Sequence, residues 1–328
     1  MLDVISIGEL LIDFVSTAKG VPLAESPAFE KKAGGAPANV AVGIAKLGLR
    51  SGFVGKVGND AFGTFLRDTL AAHGVDVAHL ARTDAARTTL AFVALAADGT
   101  PDFAFYRNPG ADMLLCEADV DEAYHREARA LHFGSISLAD PAPKAATLKA
   151  IEIARAAGQL VSYDPNYRPA LWPSARVARQ EILAGFDLAD VAKVSEAEWE
   201  FITGTTDLDV GARVILKRGV KLVVVSRGAE GCYFHDGTDS ARIPGYPVDV
   251  AETTGAGDGF VAGLLLGLLD AIRRPGDIER ISRSRLTEIC DFANAVGALT
   301  CTKVGAIPAL PTLDEAQRFW NERRGTRA

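Results

Sequence analysis

Short apolar runs rich in valine, isoleucine and leucine alternate with longer segments of helical periodicity along most of the chain. The runs occupy residues 3–8, 51–57, 130–134, 160–164, 190–195 and 221–227. Runs of this kind are typical of parallel strands that are buried on both faces, and the segments between them are long enough for helical crossovers. The pattern therefore predicts an α/β fold, in which helices flank a doubly wound, mostly parallel sheet.

Two segments break this alternation and predict a second, smaller β-sheet. Residues 88–112 contain two strand-like runs around Asp98 and Gly99, a dipeptide that favours a hairpin. Residues from about 13 to 33 also lack helical periodicity, and we expect them to join the same sheet. Ligands of doubly wound folds bind at the carboxyl ends of the strands, so a small sheet over that edge would be a lid. No linker divides the chain, and residues 1–328 are predicted to form one domain that includes this lid.

Composition and charge narrow the range of partners. The 328 residues carry a net charge of −7 and are 48% hydrophobic, which is typical of a globular protein. The most basic stretch, residues 273–285, is interrupted by acidic side chains, which favours a solvated connection over a nucleic-acid surface. The longest apolar run, 259–269, is far shorter than the ~20 residues that span a bilayer. Four cysteines without CxxC spacing fit a reducing cytosol, so we expect a cytoplasmic protein without a membrane or nucleic-acid partner.

The stretch ETTGAGDGFVAG, residues 252–263, places Gly255, Gly257 and Gly259, together with Asp258, directly in front of a long apolar run. It predicts a helix that begins at Gly255. The backbone N–H groups of Ala256, Gly257 and Asp258 would lie in its first turn without intrahelical partners, where they would stabilise an anion such as a transferring phosphoryl group. Asp258 would be placed to accept the proton of an attacking hydroxyl as a general base. The alternative is that Asp258 only favours the helix N-terminus and that the glycines pack.

A second glycine-rich turn, within residues 33–48, also runs into a predicted helix. Gly34 and Gly35 would let the backbone approach a polyol, and Asn39 in the first helical turn would offer both an amide donor and an acceptor. Asp13, which follows the first apolar run, would accept hydrogen bonds from adjacent hydroxyls. Helix capping and an ordinary turn carboxylate are the alternatives for these two polar residues.

Three further stretches carry polar residues at the ends of predicted strands. Arg107 lies beside the predicted lid, and Arg168 follows the run at 160–164. Glu198 lies in a helix that opens directly after another strand, where solvent exposure explains most carboxylates and a magnesium role is the alternative. Residues 226–231, SRGAEG, have two glycines at a strand end and fit a plain hairpin turn equally well.

Taken together, these stretches resemble the ribokinase-like (PfkB) carbohydrate kinases, and within them the fructokinase branch. Residues 34–63 are similar to the first signature of that family, and residues 253–265 are similar to the second. The resemblance runs nearly end to end, through GELLIDFV, FYRNPGADMLL, SYDPNYRPALWPS and GAIPALPT. The chain has no GxxxxGK[ST], GxGxxG, GxSxG or HExxH motif, so other phosphate-binding, hydrolase and zinc-protease interpretations lose their usual support.

The resemblance implies transfer of a phosphoryl group from ATP, with Mg²⁺, to the terminal hydroxyl of D-fructose, which gives fructose 6-phosphate. For catalysis it implies a base and an anion hole at Asp258, Gly255, Ala256 and Gly257. For the sugar it implies Asp13, Gly34, Gly35 and Asn39, with Arg107 and Arg168 as candidates. For ATP it implies Ser226, Gly228, Gly231 and Asn294. In the family the lid sheet often forms a dimer interface, and the apolar hairpin at 89–106 is consistent with a homodimer.

Two departures from the family pattern concern ions. The magnesium-associated N-x-x-E of the family is Ser195-x-x-Glu198 here, so Glu198 carries over as an indirect Mg²⁺ residue and the asparagine does not. The aspartate that usually heads the second signature is Glu252. In many relatives that aspartate helps to hold a monovalent cation, so the resemblance leaves activation by K⁺ through Glu252 open.

Other substrates and a non-enzymatic role are the alternatives. Within the kinases they are 2-keto-3-deoxygluconate kinase and ribokinase, because such sites differ by a few hydroxyl-binding and carboxylate-binding side chains, and Arg107 and Arg168 suit a carboxylate. A sugar-binding regulator on a kinase scaffold is the alternative from a different class. The presence of Asp258, Glu198 and the glycines of the anion hole argues against that regulator.

Overall fold

The computed structural model, which describes residues 1–18, 20–95 and 101–324, consists of strands and helices that alternate along most of the chain. The strands are β1 (Val4–Ile7), β2 (Leu11–Ser16), β3 (Phe29–Gly34), β4 (Ser51–Gly58), β5 (Leu80–Thr83), β6 (Leu90–Leu95), β7 (Pro101–Tyr106), β8 (Ala130–Gly134), β9 (Leu160–Asp164), β10 (Val191–Ser195), β11 (Leu222–Ser226), β12 (Cys232–His235) and β13 (Ser240–Ile243). The α-helices are α1 (Ala36–Lys46), α2 (Ala61–Ala72), α3 (Glu122–Arg126), α4 (Pro141–Ala156), α5 (Ala175–Phe186), α6 (Glu196–Thr203), α7 (Leu208–Leu216), α8 (Ala256–Ala271), α9 (Arg283–Thr300), α10 (Ala306–Ala309) and α11 (Leu313–Arg324).

The main sheet has the strand order β13-β12-β11-β10-β9-β8-β1-β4-β5. The strands from β11 to β5 are parallel, and β12 and β13 are added antiparallel at one edge. The six predicted strands correspond to β1, β4, β8, β9, β10 and β11, which confirms the doubly wound, mostly parallel sheet. The strands β5, β12 and β13 were not predicted. β5 (LART) and β13 (SARI) lie at the two edges and are only partly buried, so they lack the continuous apolar run of β1, which has the same length.

Helices cover both faces of the main sheet. Successive residues of each strand point to opposite faces, so one strand contributes apolar side chains to both helical layers. Ile5 and Ile7 of β1 pack into a core cluster that includes residues of α4, α5, α6 and α7. Val4 of the same strand packs into a second cluster with residues of α1, α8 and α9. The strand interiors are therefore largely apolar on both sides, apart from a few buried polar residues such as His132 of β8 and Lys193 of β10.

Helix α8 approaches α9 closely along a row of glycines. A methyl group at Gly259 would lie 2.6 Å from Thr300 Oγ1, and one at Gly263 would lie 3.0 Å from the Ala293 Cα. One at Gly267 would lie 2.8 Å from a methyl carbon of Ile289. These distances are shorter than ordinary van der Waals contact, so the glycines allow α8 to pack on α9 and fix the position of its N-terminus. Along the described chain, no helix is both long and apolar enough to cross a bilayer.

The small sheet has the order β3-β2-β6-β7 and contains strands from both predicted segments. Strands β2 and β3 are antiparallel, β2 and β6 are parallel, and β6 and β7 are antiparallel. The predicted turn at Asp98 and Gly99 lies outside the described residues. Asp13 lies inside β2 and not at the end of the first strand as expected. The reason is that β1 ends at Ile7 and the chain turns at Gly8, where φ is +153° and the Pro37 ring leaves no room for a side chain.

Candidate active site

The turn that opens α8 brings exposed backbone donors to one end of the main sheet. Gly255 is the residue before the helix and has φ of +81°, a conformation that favours glycine. A side chain there would also lie 2.8 Å from the Ala306 Cβ. Ala256, Gly257 and Asp258 form the first turn of α8, as predicted. The Ala256 N–H donates to the Thr253 carbonyl over 3.2 Å, whereas the N–H groups of Gly257 and Asp258 lie in a turn that offers them no partner within the helix. The geometry suits an anion.

Asp258 is buried in this turn and is held by Asn39 from the first turn of α1. The Asn39 Nδ2 donates to Asp258 Oδ2 over 2.8 Å, and Asn39 Oδ1 has no hydrogen-bond partner among the described residues. Burial raises the pKa of Asp258 to about 6, although the bond from Asn39 opposes this rise. Two glycine-led helices therefore meet at one carboxylate, which is deprotonated at neutral pH and able to accept a proton.

The Asp13 carboxylate lies against the glycine turn between β3 and α1. A methyl group at Gly34 would overlap it, and Gly35 has φ of +110°, with the Glu9 carbonyl where a side chain would project. Burial raises the pKa of Asp13 to about 6; the charge of Arg168 opposes this rise, and those of Glu252 and Asp258 add to it. The small sheet thus presents a carboxylate beside Asp258, with backbone that can approach a ligand closely.

Lys193 and Asp164 form a buried ion pair beside the same turn. Lys193 Nζ lies 2.9 Å from Asp164 Oδ2, and it lies equally far, 2.9 Å, from the position that a Gly257 Cβ would occupy. Although burial opposes it, the charge of Asp164 raises the pKa of Lys193, so the side chain is a cation. The sequence analysis missed Lys193. The signal was a lysine inside the otherwise apolar run of β10, where an unpaired charge would be costly.

Arg107 follows β7, as expected, but two carboxylates hold it. Its Nε donates to Asp112 Oδ2 over 2.7 Å and its Nη1 to Asp140 Oδ2 over 3.0 Å. The Glu9 carboxyl lies close by; its Oε1 accepts the Ala36 N–H over 3.1 Å, and burial raises its pKa to about 7. Arg107 therefore lies in a charged cluster where the small sheet joins the main sheet.

Arg168 follows β9 and is exposed. Its charge lowers the pKa of both Asp13 and Asp258, so its guanidinium lies near these two carboxylates. The Arg168 Nη1 donates to the neighbouring Tyr167 carbonyl over 3.5 Å. Arg168 therefore differs from Arg107 in being exposed to solvent beside the site.

Glu198 is buried at the start of α6, where Ser195 and Glu198 cap the helix reciprocally. Glu198 Oε2 accepts hydrogen bonds from the Ser195 N–H over 3.1 Å and from its hydroxyl over 2.5 Å, and Oε1 accepts one from the Tyr167 N–H. Both oxygens thus already have protein donors, which fits a water-mediated role toward a cation better than direct coordination. Within the part of the chain that the structure describes, no group of three or more His, Cys, Asp or Glu side chains is arranged to hold a metal ion.

Glu252 lies in the segment before the α8 turn and is tied to its surroundings. Its Oε2 accepts the Gly305 N–H over 2.7 Å and lies 3.7 Å from Lys32 Nζ of β3. The backbone N–H of Glu252 donates to the Cys301 carbonyl over 3.3 Å. The chain itself therefore supplies a cation beside this carboxylate.

The residues assigned to ATP lie at the end of β11, in the turn between β11 and β12, and on α9. Ser226 ends β11, and Gly228 and Gly231 have φ of +55° and +87° in the turn that joins β11 to antiparallel β12. The hairpin interpretation of SRGAEG is therefore confirmed, and it leaves the nucleotide role as a prediction. The buried Asn294 Nδ2 donates to the carbonyls of Ile243 and Pro244, each over 3.3 Å, and so fixes the segment after β13.

The structure therefore brings one group of the predicted residues together and leaves others apart. Asp258, Gly255, Ala256, Gly257, Asn39, Asp13, Gly34 and Gly35 converge at one end of the main sheet, with Arg168 beside them. A buried carboxylate in the first turn of a helix, a buried ammonium and a second carboxylate at one place can support proton removal coupled to transfer of an anionic group.

Comparisons with known proteins identify the family of the chain. The sequence profile described as "pfkB family carbohydrate kinase" matches residues 1–313. The chain is 46% identical to the probable fructokinase-7 of Arabidopsis thaliana over 98% of this chain and 93% of that relative. It is also similar to the crystal structure of a fructokinase with bound ATP from Xylella fastidiosa, with a TM-score of 0.90 and 35% identity over 99% of this chain and 100% of that one.

A third similar structure was solved with sugar, nucleotide and a monovalent ion. It is a double-mutant fructokinase from Vibrio cholerae O395 in a form bound to fructose, ADP and a potassium ion. The TM-score is 0.86, and the identity is 34% over 97% of this chain and 98% of that chain. The similarity thus extends over both the main sheet and the small sheet.

Proposed function

The chain belongs to the pfkB family of carbohydrate kinases, and from that premise we propose that it transfers the terminal phosphoryl group of ATP to the terminal hydroxyl of D-fructose. The observation that carries this proposal is the buried Asp258, held by Asn39 in the turn whose backbone N–H groups form the anion site. The products are ADP and fructose 6-phosphate. The fructokinase names of relatives that align over nearly the whole chain support the choice of sugar.

Asp258 removes the proton of the sugar hydroxyl as its oxygen attacks the phosphorus. A bond forms between that oxygen and the phosphorus, the bond from the phosphorus to the bridging oxygen of ATP breaks, and the proton passes to the Asp258 carboxylate. The N–H groups of Gly257 and Asp258 and the ammonium of Lys193 stabilise the negative charge of the transferring group. Phosphoryl transfer needs little covalent chemistry from the protein, so positioning and electrostatics supply most of the rate enhancement.

We assign the remaining converging residues to the sugar and to the metal nucleotide. Asp13 and the backbone at Gly34 and Gly35 would accept and donate hydrogen bonds to the sugar hydroxyls. Ser226, Gly228, Gly231 and Asn294 would line the ATP site. Mg²⁺ bound to the ATP phosphates would supply further charge neutralisation, and Glu198, whose oxygens already have protein donors, would contact it through water.

The pairing of Arg107 removes one of the two cations that could bind the carboxylate of a sugar acid. An acidic substrate such as 2-keto-3-deoxygluconate needs an available cation for its carboxylate. Arg107 already carries Asp112 at 2.7 Å and Asp140 at 3.0 Å, so of the two candidate arginines Arg168 is the exposed one beside the site. A substrate rich in hydroxyl groups suits Asp13 and Asn39 better.

A sugar-panel kinase assay tests the proposal. Purified protein is given ATP and Mg²⁺ with fructose, ribose or 2-keto-3-deoxygluconate, ADP formation is followed, and the phosphorylated carbon is identified by NMR. We expect kcat/KM for fructose to exceed that for the other two sugars by at least about tenfold, which corresponds to ~1.4 kcal/mol of transition-state discrimination. Turnover of ribose or the acid with fructose untouched would reject fructose but keep the kinase class. No turnover with any sugar, together with retained sugar binding, would favour the regulator.

We further propose that the protein forms a homodimer through the small sheet and acts in the cytoplasm. Phe92 of the sheet contacts the rings of Phe14, Phe29 and Tyr106 at centroid distances of 5.0, 5.2 and 5.3 Å. Tyr106 and Phe103 on the edge strand β7 are nonetheless 68% and 39% exposed. Exposed aromatic side chains beside an apolar cluster are typical of an interface. The four free cysteines fit a reducing compartment.

A further inference from the structure

Lys32 links the small sheet to the segment that leads into α8. It lies on β3, its side chain is only 12% exposed, and its Nζ lies 3.7 Å from Glu252 Oε2. The same ammonium lies 3.7 Å from Glu30, whose side chain is 66% exposed, so solvent weakens that second interaction. The less exposed Glu252 is therefore the stronger partner of Lys32.

The position of Glu252 controls the position of the anion-binding turn. Its carboxylate accepts the Gly305 N–H over 2.7 Å, and the N–H groups of Ala251 and Glu252 both donate to the Cys301 carbonyl. Residues 253–257 follow directly, and Gly255 packs against Ala306, the residue after Gly305. A displacement of the Glu252 side chain would therefore be transmitted to the amides that open α8.

Lys32 also balances the negative charge around Asp13, the carboxylate that we assign to the sugar. In the antiparallel β2–β3 pair it lies directly opposite Asp13. The charges of Glu252 and Asp258 raise the pKa of Asp13, whereas that of Lys32 lowers it. Three carboxylates share this corner of the site, and like charges at such distances disfavour one another unless a cation is present.

The surroundings of Glu252 do not fit an additional monovalent cation at its carboxylate. One oxygen, Oε2, already receives a backbone N–H and faces the Lys32 ammonium. A potassium ion on this oxygen would compete with the N–H for its lone pairs and would be repelled by the ammonium. The stem of Lys32 adds to the obstruction, because its Cδ lies 3.5 Å from the position of a Gly305 Cβ.

We propose that Lys32 is a positioning residue that serves as a built-in cation for Glu252, so that the reaction does not depend on added potassium. This inference rests on the proposed kinase function. It predicts that the ammonium of Lys32, from the small sheet, takes the place of a K⁺ ion that would otherwise have to bind Glu252 from solution. It also predicts that the position of the small sheet and the position of the catalytic turn are coupled through this one ion pair.

Kinetics and thermal unfolding in matched salts test the proposal. The unchanged protein, Lys32→Met and Lys32→Ala are compared in KCl and in choline chloride at equal ionic strength. We expect the unchanged protein to have the same kcat/KM in both salts within about twofold, and Lys32→Met to lose on the order of tenfold or more in both. In Lys32→Ala, which leaves space beside Glu252, K⁺ or methylammonium should restore part of the loss.

Lys31→Met is the matched control, because Lys31 is exposed on the same strand and its Nζ lies over the Phe65 ring at 3.7 Å. We expect it to retain the rate of the unchanged protein.

Unfolding temperatures provide a readout that does not need turnover: KCl should stabilise Lys32→Ala relative to choline chloride and leave the unchanged protein unaffected. Specific stabilisation or activation of the unchanged protein by K⁺ would overturn the inference, as would Lys32→Met behaving like Lys31→Met. If the unchanged protein phosphorylates no sugar, the kinase proposal is contradicted. The unfolding temperatures in the two salts would still decide whether Lys32 acts as the cation for Glu252.

Discussion

A carboxylate acts as a base only while it is deprotonated, and Asp258 combines this requirement with deep burial. Burial favours the neutral acid and raises its pKa to about 6, whereas the bond from Asn39 and the charge of Lys193 favour the carboxylate. The balance leaves Asp258 ionised at neutral pH but basic enough to take a proton. A general base is most effective when its pKa lies near the working pH.

Asp258→Asn should remove this base while keeping the shape of the site. We expect kcat to fall by about 10²–10⁴-fold, because an amide cannot accept the hydroxyl proton. Binding of ATP, measured by calorimetry, should change little. Asp68→Asn, on the exposed face of α2, is the control and should keep full activity. Near-normal turnover of Asp258→Asn would contradict the base role.

The pH dependence of kcat/KM should report the same balance. Because the pKa of Asp258 is raised to about 6 and the deprotonated form is active, kcat/KM should fall as the pH is lowered below about 6. Asn39→Leu removes the hydrogen bond that lowers this pKa, so the acid limb should move to higher pH. The burial of Asp13 raises its pKa to about 6 as well. An acid limb that Asn39→Leu leaves in place would assign the titration to Asp13 instead.

At the scale of elements, buried charges attach the small sheet to the main sheet. Arg107 follows β7, and its partners Asp112 and Asp140 precede α3 and α4. Glu9 precedes β2 and binds the N–H of Ala36 at the start of α1. The connections at Glu9, at Ala36 and after β7 thus meet in this cluster, which suits a role in holding the small sheet over the carboxyl ends of the strands.

Arg107→Met should therefore act mainly on stability. It leaves Asp112 and Asp140 without their cation, and loss of one partner from a buried pair costs about 3–5 kcal/mol. Urea unfolding of Arg107→Met is compared with that of Arg168→Met, whose exposed side chain should contribute less than about 0.5 kcal/mol. The free energy of unfolding should fall for the first variant only. A raised KM with unchanged stability in Arg107→Met would instead support direct sugar binding.

At the scale of the whole molecule, the small sheet places apolar surface outside the main core. Tyr106 is 68% exposed on β7 and packs edge-on against Phe92, which is part of the aromatic cluster of that sheet. Exposed aromatics on an edge strand invite association with a second copy of the chain. A dimer formed in this way would hold two small sheets against each other and stabilise both sites.

Tyr106→Glu should weaken such a dimer, because a charge in an apolar contact is desolvated without a partner. Sedimentation equilibrium should show dimers for the unchanged protein and mostly monomers for the variant at the same micromolar concentration. Val210→Glu replaces another exposed apolar residue, 54% exposed on α7, and should remain dimeric. A monomeric unchanged protein would refute the dimer proposal.

Much of the fold was predictable because its signals are local. The apolar runs of β1, β4, β8, β9, β10 and β11 predicted the parallel sheet, and Pro37 and the glycines marked the starts of α1 and α8. The position of Asp13 was wrong: it was expected at the end of the first strand, but the chain bends at Gly8 and Asp13 lies inside β2. The edge strand β13, with the sequence SARI, is only partly buried and lacks the continuous apolar run that marked β1.

The sequence by itself determined six of the seven parallel strands, the two glycine-led helix starts and the presence of Asp258 and Asn39 at them. These features follow from periodicity and backbone freedom, which neighbouring residues define. Only the tertiary structure decided which charges meet: Lys193 with Asp164, Arg107 with Asp112 and Asp140, and Lys32 with Glu252. The strength of an ion pair depends on separation in space and on burial, and neither quantity is a property of the chain until it has folded.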